Sequence, residues 1–395
     1  MNTICRRSAI FLLTSLLLIG CGATPAPEQA APAPEATISP ESETDSAGQT
    51  DADTSDETSE AVETVDTEDA VEEEVEEGFV PPAVPCIDEN GYSALYVKGT
   101  QLYDTYGNTV QLKGISTHGI NWFDQYINQD LFTELADDWG CQVMRLAMYT
   151  AETGGYCSDD GDPEKLEQVL RDGIEYATAC GMYVIVDWHV NRDVTPLKYE
   201  EQALDFFSRM SAEYADYNNV IYEICNEPNG KTSWDDISSY ANKVIPLIRA
   251  NAPQSLILVG TPHWSQYATI PANAPLEFEN IMYVMHFYAA THQDGTRDTL
   301  SDAMEKNLPI FVTEYAICYA SGNGDLNYES GQKWIDLLDS NNISYTIWNL
   351  SNKDESSSLI KPDCEKASGF TDEDLSDQGL WIKDILQRSK AEREK

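Results

Sequence analysis

Tyr183-Val184-Ile185-Val186-Asp187-Trp188-His189 and Val220-Ile221-Tyr222-Glu223-Ile224-Cys225-Asn226 are two short apolar runs on either side of an amphipathic stretch, Lys198–Tyr214. Both runs are apolar almost throughout instead of alternating, as strands buried on two faces are. Strand, helix and a second such strand predict a parallel unit. The same alternation continues outward. Gln111–Thr117 and Val143–Tyr149 lie upstream; Leu256–Thr261, Ile281–Tyr288, Pro309–Tyr315 and Ile343–Leu350 lie downstream. Helical periodicity fills Gln129–Trp139, Glu164–Cys180, Trp234–Ala250, Arg297–Lys306 and Tyr328–Ser340, with a last helix over 375–388. Only the connection after the fifth strand, short and Pro-rich, shows no clear helix. Eight strands alternating with helices predict an α/β fold, a closed (β/α)8 TIM barrel. Tyr92–Val110 reads as a small hairpin ahead of it, with Tyr106-Gly107-Asn108 near a turn.

Ahead of this region the composition changes. Arg6-Arg7 and the apolar run Ala9–Ile19 are too short to cross a bilayer as a helix but suit a signal peptide. The run ends Leu18-Ile19-Gly20-Cys21, which resembles the bacterial lipoprotein box. That resemblance implies removal of residues 1–20 and lipidation of Cys21; an ordinary secretory leader containing a cysteine is the alternative. Residues 22–78 hold 19 Asp and Glu, no Lys or Arg, and no aromatic residue. Such a segment cannot bury enough apolar surface to offset its ordering entropy, so 21–80 is expected to be a disordered acidic tether. The folded domain is then 86–395.

The formal charge of −44 leaves about −27 on the folded part once leader and tether are set aside. A body this acidic argues against nucleic acid or anionic lipid as a partner and is compatible with a neutral polymer. The membrane enters only through the lipid anchor, and a monomer is expected. Beyond Cys5 and Cys21 there are seven cysteines, an odd number that cannot pair completely. Free buried thiols and one or two disulfides both fit. No Cys-x-x-Cys or Cys/His zinc spacing occurs, so neither metal nor cofactor is called for.

In a (β/α)8 barrel the reactive groups gather at the carboxyl ends of the strands. Here those ends read Thr117-His118, Met148-Tyr149, Asp187-Trp188-His189, Asn226-Glu227-Pro228, His263-Trp264, His286-Phe287-Tyr288, Thr313-Glu314-Tyr315 and Trp348-Asn349. Four of the five histidines fall there. Glu227 and Glu314 end the fourth and seventh strands, which face each other across a barrel mouth. Two opposed carboxylates are what cleavage of a glycosidic bond needs: an acid for the leaving oxygen and a second group across the sugar. Either glutamate alone is equally well read as half of a structural ion pair.

The residues around them decide between those readings. Ile224-Cys225-Asn226-Glu227-Pro228-Asn229 and Phe311-Val312-Thr313-Glu314-Tyr315 resemble the two signatures of glycoside hydrolase family 5. Ser116-Thr117-His118-Gly119, Arg145–Thr150, Val186–His189, Met285–Ala289 and Asn349-Leu350-Ser351 look like the bacterial endoglucanases of that family, in order and over the whole folded part. The resemblance implies retaining hydrolysis of β-1,4-glucan, cellulose or mixed-linkage, with Glu227 as acid/base and Glu314 as nucleophile. It implies that Arg145 and Tyr288 hold Glu314 ionised, that Asn226 bonds the 2-hydroxyl beside the cut, and that His189 and His286 support the acid/base side. His118, Trp122, Phe123, Tyr149, Trp264, Trp348, Lys353, Glu355 and the Ala320-Ser321 backbone fall at sugar-contact positions. Trp139, Trp334 and Trp381 sit on helices and are expected in the core. The chain departs from the family at Tyr315-Ala316, in place of Trp-Gly, at Cys225, and at Phe123, where tyrosine is common. Cys318 also lies near the expected nucleophile. These departures bear on cleft shape, and leave mannan, xyloglucan or xylan open as substrates. A non-catalytic glycan-binding lipoprotein and a metallohydrolase are the other classes; two intact glutamates oppose the first and no ligand spacing supports the second.

Overall fold

The computed structural model describes residues 79–395; the expected leader, Cys21 and nearly all of the acidic tether lie outside the described residues. The described chain opens on an antiparallel hairpin, β1 (Tyr96–Lys98) and β2 (Gln101–Tyr103). Its turn is at Gly99-Thr100, where Gly99 has φ 57°. The expected turn at Tyr106-Gly107-Asn108 is a second one: Asp104 Oδ1 accepts from the N–H groups of Tyr106 and Asn108, and Gly107 lies at φ 88°.

The barrel follows as β3 (Lys113–Thr117), β4 (Val143–Tyr149), β5 (Tyr183–His189), β6 (Val220–Glu223), β7 (Ile257–Val259), β8 (Ile281–Tyr288), β9 (Ile310–Ala316) and β10 (Tyr345–Leu350). All neighbours are parallel, and β10 pairs with β3 to close the ring. The helices are α1 (Gln129–Glu134), α2 (Pro163–Ala179), α3 (Glu200–Glu213), α4 (Trp234–Asn251), α5 (Pro262–Ser265), α6 (Thr269–Asn273), α7 (Asp294–Glu305), α8 (Tyr328–Ser340) and α9 (Asp377–Arg393). The expected helix Gln129–Trp139 is divided: α1 passes into one π turn, Leu135–Trp139, which Gly140 ends at φ 83°. The Pro-rich connection after β7 does hold helix, but only short pieces. Within α5, His263 and Trp264 are left-handed and Ser265 follows at φ 54°. No helix among the described residues is long and apolar enough to cross a membrane.

Side chains along the strands alternate between two environments. Met144, Leu146 and Met148 of β4 pack outward against the helices. Val143 joins a floor inside the barrel made with Ile185, Ile221, Leu258, Val284 and Phe311, closed from below by Leu95 and Leu102 of the hairpin region. At the other end Ala147, Tyr149, Tyr288 and Trp348 share a cluster at the mouth. Between floor and mouth the inward positions are polar: Arg145, Asp187, Glu223, His286 and Thr313, each 0% or 1% exposed. A charged layer inside a core must be paired within itself.

All seven cysteines of the described residues are free. Trp139 and Trp334 are buried as expected, and Trp381 packs against the helical shell.

Candidate active site

Arg145 is the centre of the polar layer. Its Nε donates to Glu223 Oε2 at 2.7 Å, and its Nη2 to Glu223 Oε1 at 3.1 Å and Asn226 Oδ1 at 2.6 Å. Asp187 Oδ2 lies 2.9 Å from Nη2. Glu314 is a more distant partner, 3.5 Å from Nη1. Arg145 therefore belongs first to Asp187 and Glu223, acids with no assigned role in the sequence reading, and only then to Glu314. Tyr288 is the close partner there, its hydroxyl donating to Glu314 Oε1 at 2.7 Å.

A local irregularity brings the two ends of this network together. Between Val284↔Phe311 and His286↔Glu314, three residues of β9 oppose two of β8, and β10 shows the same offset against β9. The extra residue is a bulge in β9. Because of it the consecutive residues Thr313 and Glu314 both reach the site, Thr313 to His286 and Glu223, Glu314 to Tyr288 and Arg145. On the opposite side the chain leaves the ladder after Glu223, earlier than expected. The N–H of Asn226 then donates to Trp188 O and that of Glu227 to Val190 O. Gly260 permits this: a Cβ there would meet Cys225 O at 2.3 Å.

His189 donates from Nδ1 to Asp187 Oδ2 at 2.6 Å, and its Nε2 faces Asn226 Nδ2 at 3.2 Å. It supports Asn226 and has no hydrogen bond to Glu227. Asn226 is fully buried; Arg145 takes its oxygen, and His189 and Val190 O take its amide. A sugar hydroxyl could donate to the second lone pair of Oδ1, whereas accepting from the amide would mean exchanging one of its two partners. Glu227 meets His286 Nδ1 at 3.0 Å through Oε1 and Asn191 Nδ2 at 3.4 Å through Oε2. One oxygen each of Glu227 and Glu314 and a ring nitrogen of His286 lie within 4.8 Å of one another. These three side chains could also chelate a cation. The hydrogen bonds already given account for their approach without one.

The two glutamates share burial but differ in company. Burial, and next the charge of Glu314, push the Glu227 carboxyl well above the usual range. Burial also raises Glu314, but Arg145, His189 and the Tyr288 hydroxyl pull it back. Glu227 is thus the group that keeps its proton. Burial takes Asp187 and Glu223 up to about 7 despite Arg145. Unfolded carboxyls titrate near ~4. Between about pH 4 and 7 the native chain therefore binds more protons than the unfolded one, and stability falls as pH rises. Surface carboxylates held low, such as Asp236 and Asp374, lose their contribution in acid. Calorimetry is expected to give a higher Tm at pH 5 than at pH 8; a Tm that rises steadily to pH 8 would contradict the buried-acid account.

With this geometry in hand, the match to known proteins is specific. The family described as Cellulase (glycosyl hydrolase family 5) matches residues 103–354. The chain belongs to glycosyl hydrolase family 5. Endoglucanase A of Butyrivibrio fibrisolvens is 46% identical over 301 residues, 76% of this chain and 70% of that protein. An endoglucanase of Clostridium saccharobutylicum is 48% identical over 291 residues, 73% of this chain and 64% of that protein. The chain thus spans about two thirds of the length of these curated relatives. The catalytic domain of Thermobifida fusca endoglucanase Cel5A superposes with a TM-score of 0.71 at 39% identity, over 75% of this chain and 98% of that one.

Around the family 5 centre the expected sugar contacts fall into four groups. Trp348, 5% exposed, lies parallel to His189 with ring centres 5.5 Å apart and forms the floor with Tyr149. His118, Lys353 and Glu355 form a polar cluster on one side. Lys353 Nζ lies 2.6 Å from Glu355 Oε2, and Asn349 Nδ2 donates to Glu355 Oε1 at 3.0 Å. His118 Nδ1 accepts the Gly119 N–H at 2.6 Å, and Nε2 faces Lys353 Nζ at 3.4 Å. Trp122 stands over this cluster, 5.5 Å from His118 between ring centres. Ala320 and Ser321 are exposed, and the Ala320 N–H already donates to Thr291 Oγ1. Trp264, 40% exposed, stands apart from the cluster; its N–H donates to Pro228 O, and Ser265 Oγ donates to Asn226 O at 2.6 Å. Of the family departures, Tyr315 packs outward against Phe287 and Tyr345, and Cys225 lies in the same shell. Neither shapes the cleft. Phe123, 5.0 Å from His118 between ring centres, does border it, and Cys318 packs beside Trp348 and Tyr288. Asp187, Glu223, Thr313 and Asn191 carried no role in the sequence reading; an acid inside a strand buried on both faces is the signal that marks the first two.

Proposed function

We propose that this chain is a retaining endo-β-1,4-glucanase acting on cellulose or mixed-linkage β-glucan. The carrying observation is the short reach between Glu227 and Glu314, with oxygens within 4.8 Å, combined with their unequal surroundings. Retaining glycosidases hold their carboxyl groups about 5–5.5 Å apart, and inverting ones about 6.5–9.5 Å, to admit a water. Glu314 attacks the anomeric carbon while Glu227 gives its proton to the departing glycosidic oxygen. The glycosyl ester on Glu314 is then cleaved by a water that returns its proton to Glu227. Tyr288 and Arg145 hold the nucleophile, Asn226 takes the 2-hydroxyl, and His286 and His189 hold the acid and Asn226. Trp348, Trp122, Tyr149, Phe123 and Trp264 are the ring platforms; His118, Lys353, Glu355 and the Ala320-Ser321 backbone are the polar contacts. The glucan assignment is supported by relatives named endoglucanases and by a Thermobifida fusca domain of 38% identity solved with cellotetraose. Proton NMR of fresh digests tests both halves of the proposal: the β-anomer is expected first, from carboxymethylcellulose or lichenan. An initial α-anomer overturns retention. Full activity on mannan with none on glucan overturns the substrate.

The protein is read as a lipid-anchored, outward-facing enzyme on the strength of the box ending at Cys21. Cys21→Ser is expected to abolish fatty-acid labelling and move the enzyme from membrane to medium. Unchanged labelling or fractionation removes the anchor from the account.

A further inference from the structure

Glu223 lies too deep to touch a sugar, yet three hydrogen bonds in series, through Thr313 and His286, connect it to Glu227. Arg145 donates to both Glu223 oxygens, an arrangement that fits the carboxylate, the form Glu223 holds above about pH 7. Glu223 is therefore an acceptor, and its Oε1 takes the Thr313 hydroxyl at 2.8 Å. That hydroxyl has one hydrogen and has spent it. Toward His286 Nε2, 2.9 Å away, Thr313 Oγ1 can only accept. Nε2 must then bear the ring proton. Full burial, Arg145 and His189 disfavour a second one. Nδ1 is left with a bare lone pair, aimed at Glu227 Oε1 from 3.0 Å. A lone pair repels a carboxylate and accepts a hydrogen bond from a carboxylic acid.

We propose that Glu223 and Thr313 are positioning residues that lock His286 as its Nε2–H tautomer, so that Nδ1 favours the protonated form of Glu227. This rests on Glu227 being the acid/base. Through the lock, the free enzyme holds its acid loaded. Once Glu227 has given its proton to the leaving oxygen, the carboxylate faces the same lone pair and becomes a stronger base toward the incoming water. The proton returns to Glu227 and the cycle closes. The charged and titratable groups around Glu227 are Glu314, Arg145, Asp187, Glu223, His286, Tyr149 and Tyr288, and those around His286 are Glu227, Glu314, Arg145 and His189. Apart from Glu227 itself, none of the others fixes which ring nitrogen is protonated.

Thr313→Val keeps the shape and deletes the hydroxyl; Thr313→Ser restores it. Without the hydroxyl, the ring proton can move to Nδ1 and donate to Glu227, which stabilises the carboxylate. The basic limb of kcat/KM against pH is expected to fall by about one unit in Thr313→Val, roughly the worth of one buried hydrogen bond, and to return in Thr313→Ser. A Thr313→Val profile lowered evenly at every pH, with both limbs in place, overturns the proposal. The unaltered protein supplies a second measurement that needs no variant. With ¹⁵N-histidine labelling at pH 8, where Glu223 is ionised, and only five histidines in the chain, His286 is expected to be a neutral Nε2–H tautomer. An Nδ1–H tautomer or an imidazolium overturns the lock. Glu227→Ala on an aryl cellobioside with a strongly acidic leaving group separates this from the acid/base reading. That substrate needs no acid in the first step, so wild-type glycosylation by Glu227→Ala upholds the acid/base role whatever Thr313 does.

Discussion

Glu314→Gln is expected to lose at least ~10⁴-fold of turnover on β-glucan while still binding cello-oligosaccharide. The amide fills the same space. Tyr288, 2.7 Å from Oε1, can still donate to the side-chain oxygen, so the cleft keeps its shape. What is lost, in the proposed mechanism, is the charge that attacks the anomeric carbon and the ester that attack would form. Binding is read by calorimetry with cellotetraose and turnover by reducing ends at high enzyme concentration. A variant retaining more than about 1% of turnover removes Glu314 from the nucleophile's place. Glu314→Gly with added azide gives the complementary sign. It should release glycosyl azide of inverted configuration, since azide then attacks from the side the carboxylate left open. Glu227 remains in that variant as the proposed acid.

The second large effect is on stability. Arg145→Met leaves Asp187, Glu223 and Glu314 buried around a thioether. Removing one partner of a buried ionic group costs about 3–5 kcal/mol, because the remaining charge has no compensation. Here the cost depends on pH in a defined direction. Asp187 and Glu223 titrate at about 7 even with Arg145 present, so below that they can shed their charge by protonation. Urea unfolding is expected to show the full penalty at pH 8 and a clearly smaller one at pH 5. A loss under about 1 kcal/mol at pH 8 would mean that the layer is not held by this guanidinium.

How far these features were legible depends on which rule each residue obeys. β4, β5 and β8 match the expected strands residue for residue because each is a long apolar run bounded by turn residues. β6 and β7 end early because Asn226 and Glu227 must leave the ladder to hang over the mouth, and no periodicity signals that departure. The π turn in Leu135–Trp139 keeps a helical pattern and so reads as ordinary helix. At the site, residues that end strands were visible, since polar groups on one rim are conspicuous. Asp187, Glu223 and Thr313 lie below the rim inside apolar runs. Their trace is a physical contradiction: two acids in strands buried on both faces, and one arginine, Arg145, in the same predicament. Reading those as mutual partners would have found the layer. The preference of Arg145 for Glu223, at 2.7 Å, over Glu314, at 3.5 Å, and the service of His189 to Asn226, need coordinates to be seen.

The site is also divided in sequence. Arg145, Asp187, Glu223, Asn226 and Glu227 come from the half of the barrel built by β3 to β6. His286, Tyr288, Thr313, Glu314 and Trp348 come from β7 to β10. Glu227 and the imidazole that faces it lie in different halves, as do the Arg145 guanidinium and the Glu314 carboxylate. Neither half holds both glutamates, so turnover counts finished barrels. During refolding, activity is expected to return only with the last seam to form, later than helical circular dichroism. Residues 1–251 and 252–395 expressed as separate fragments are each expected to be silent, with any hydrolysis on mixing measuring their docking directly.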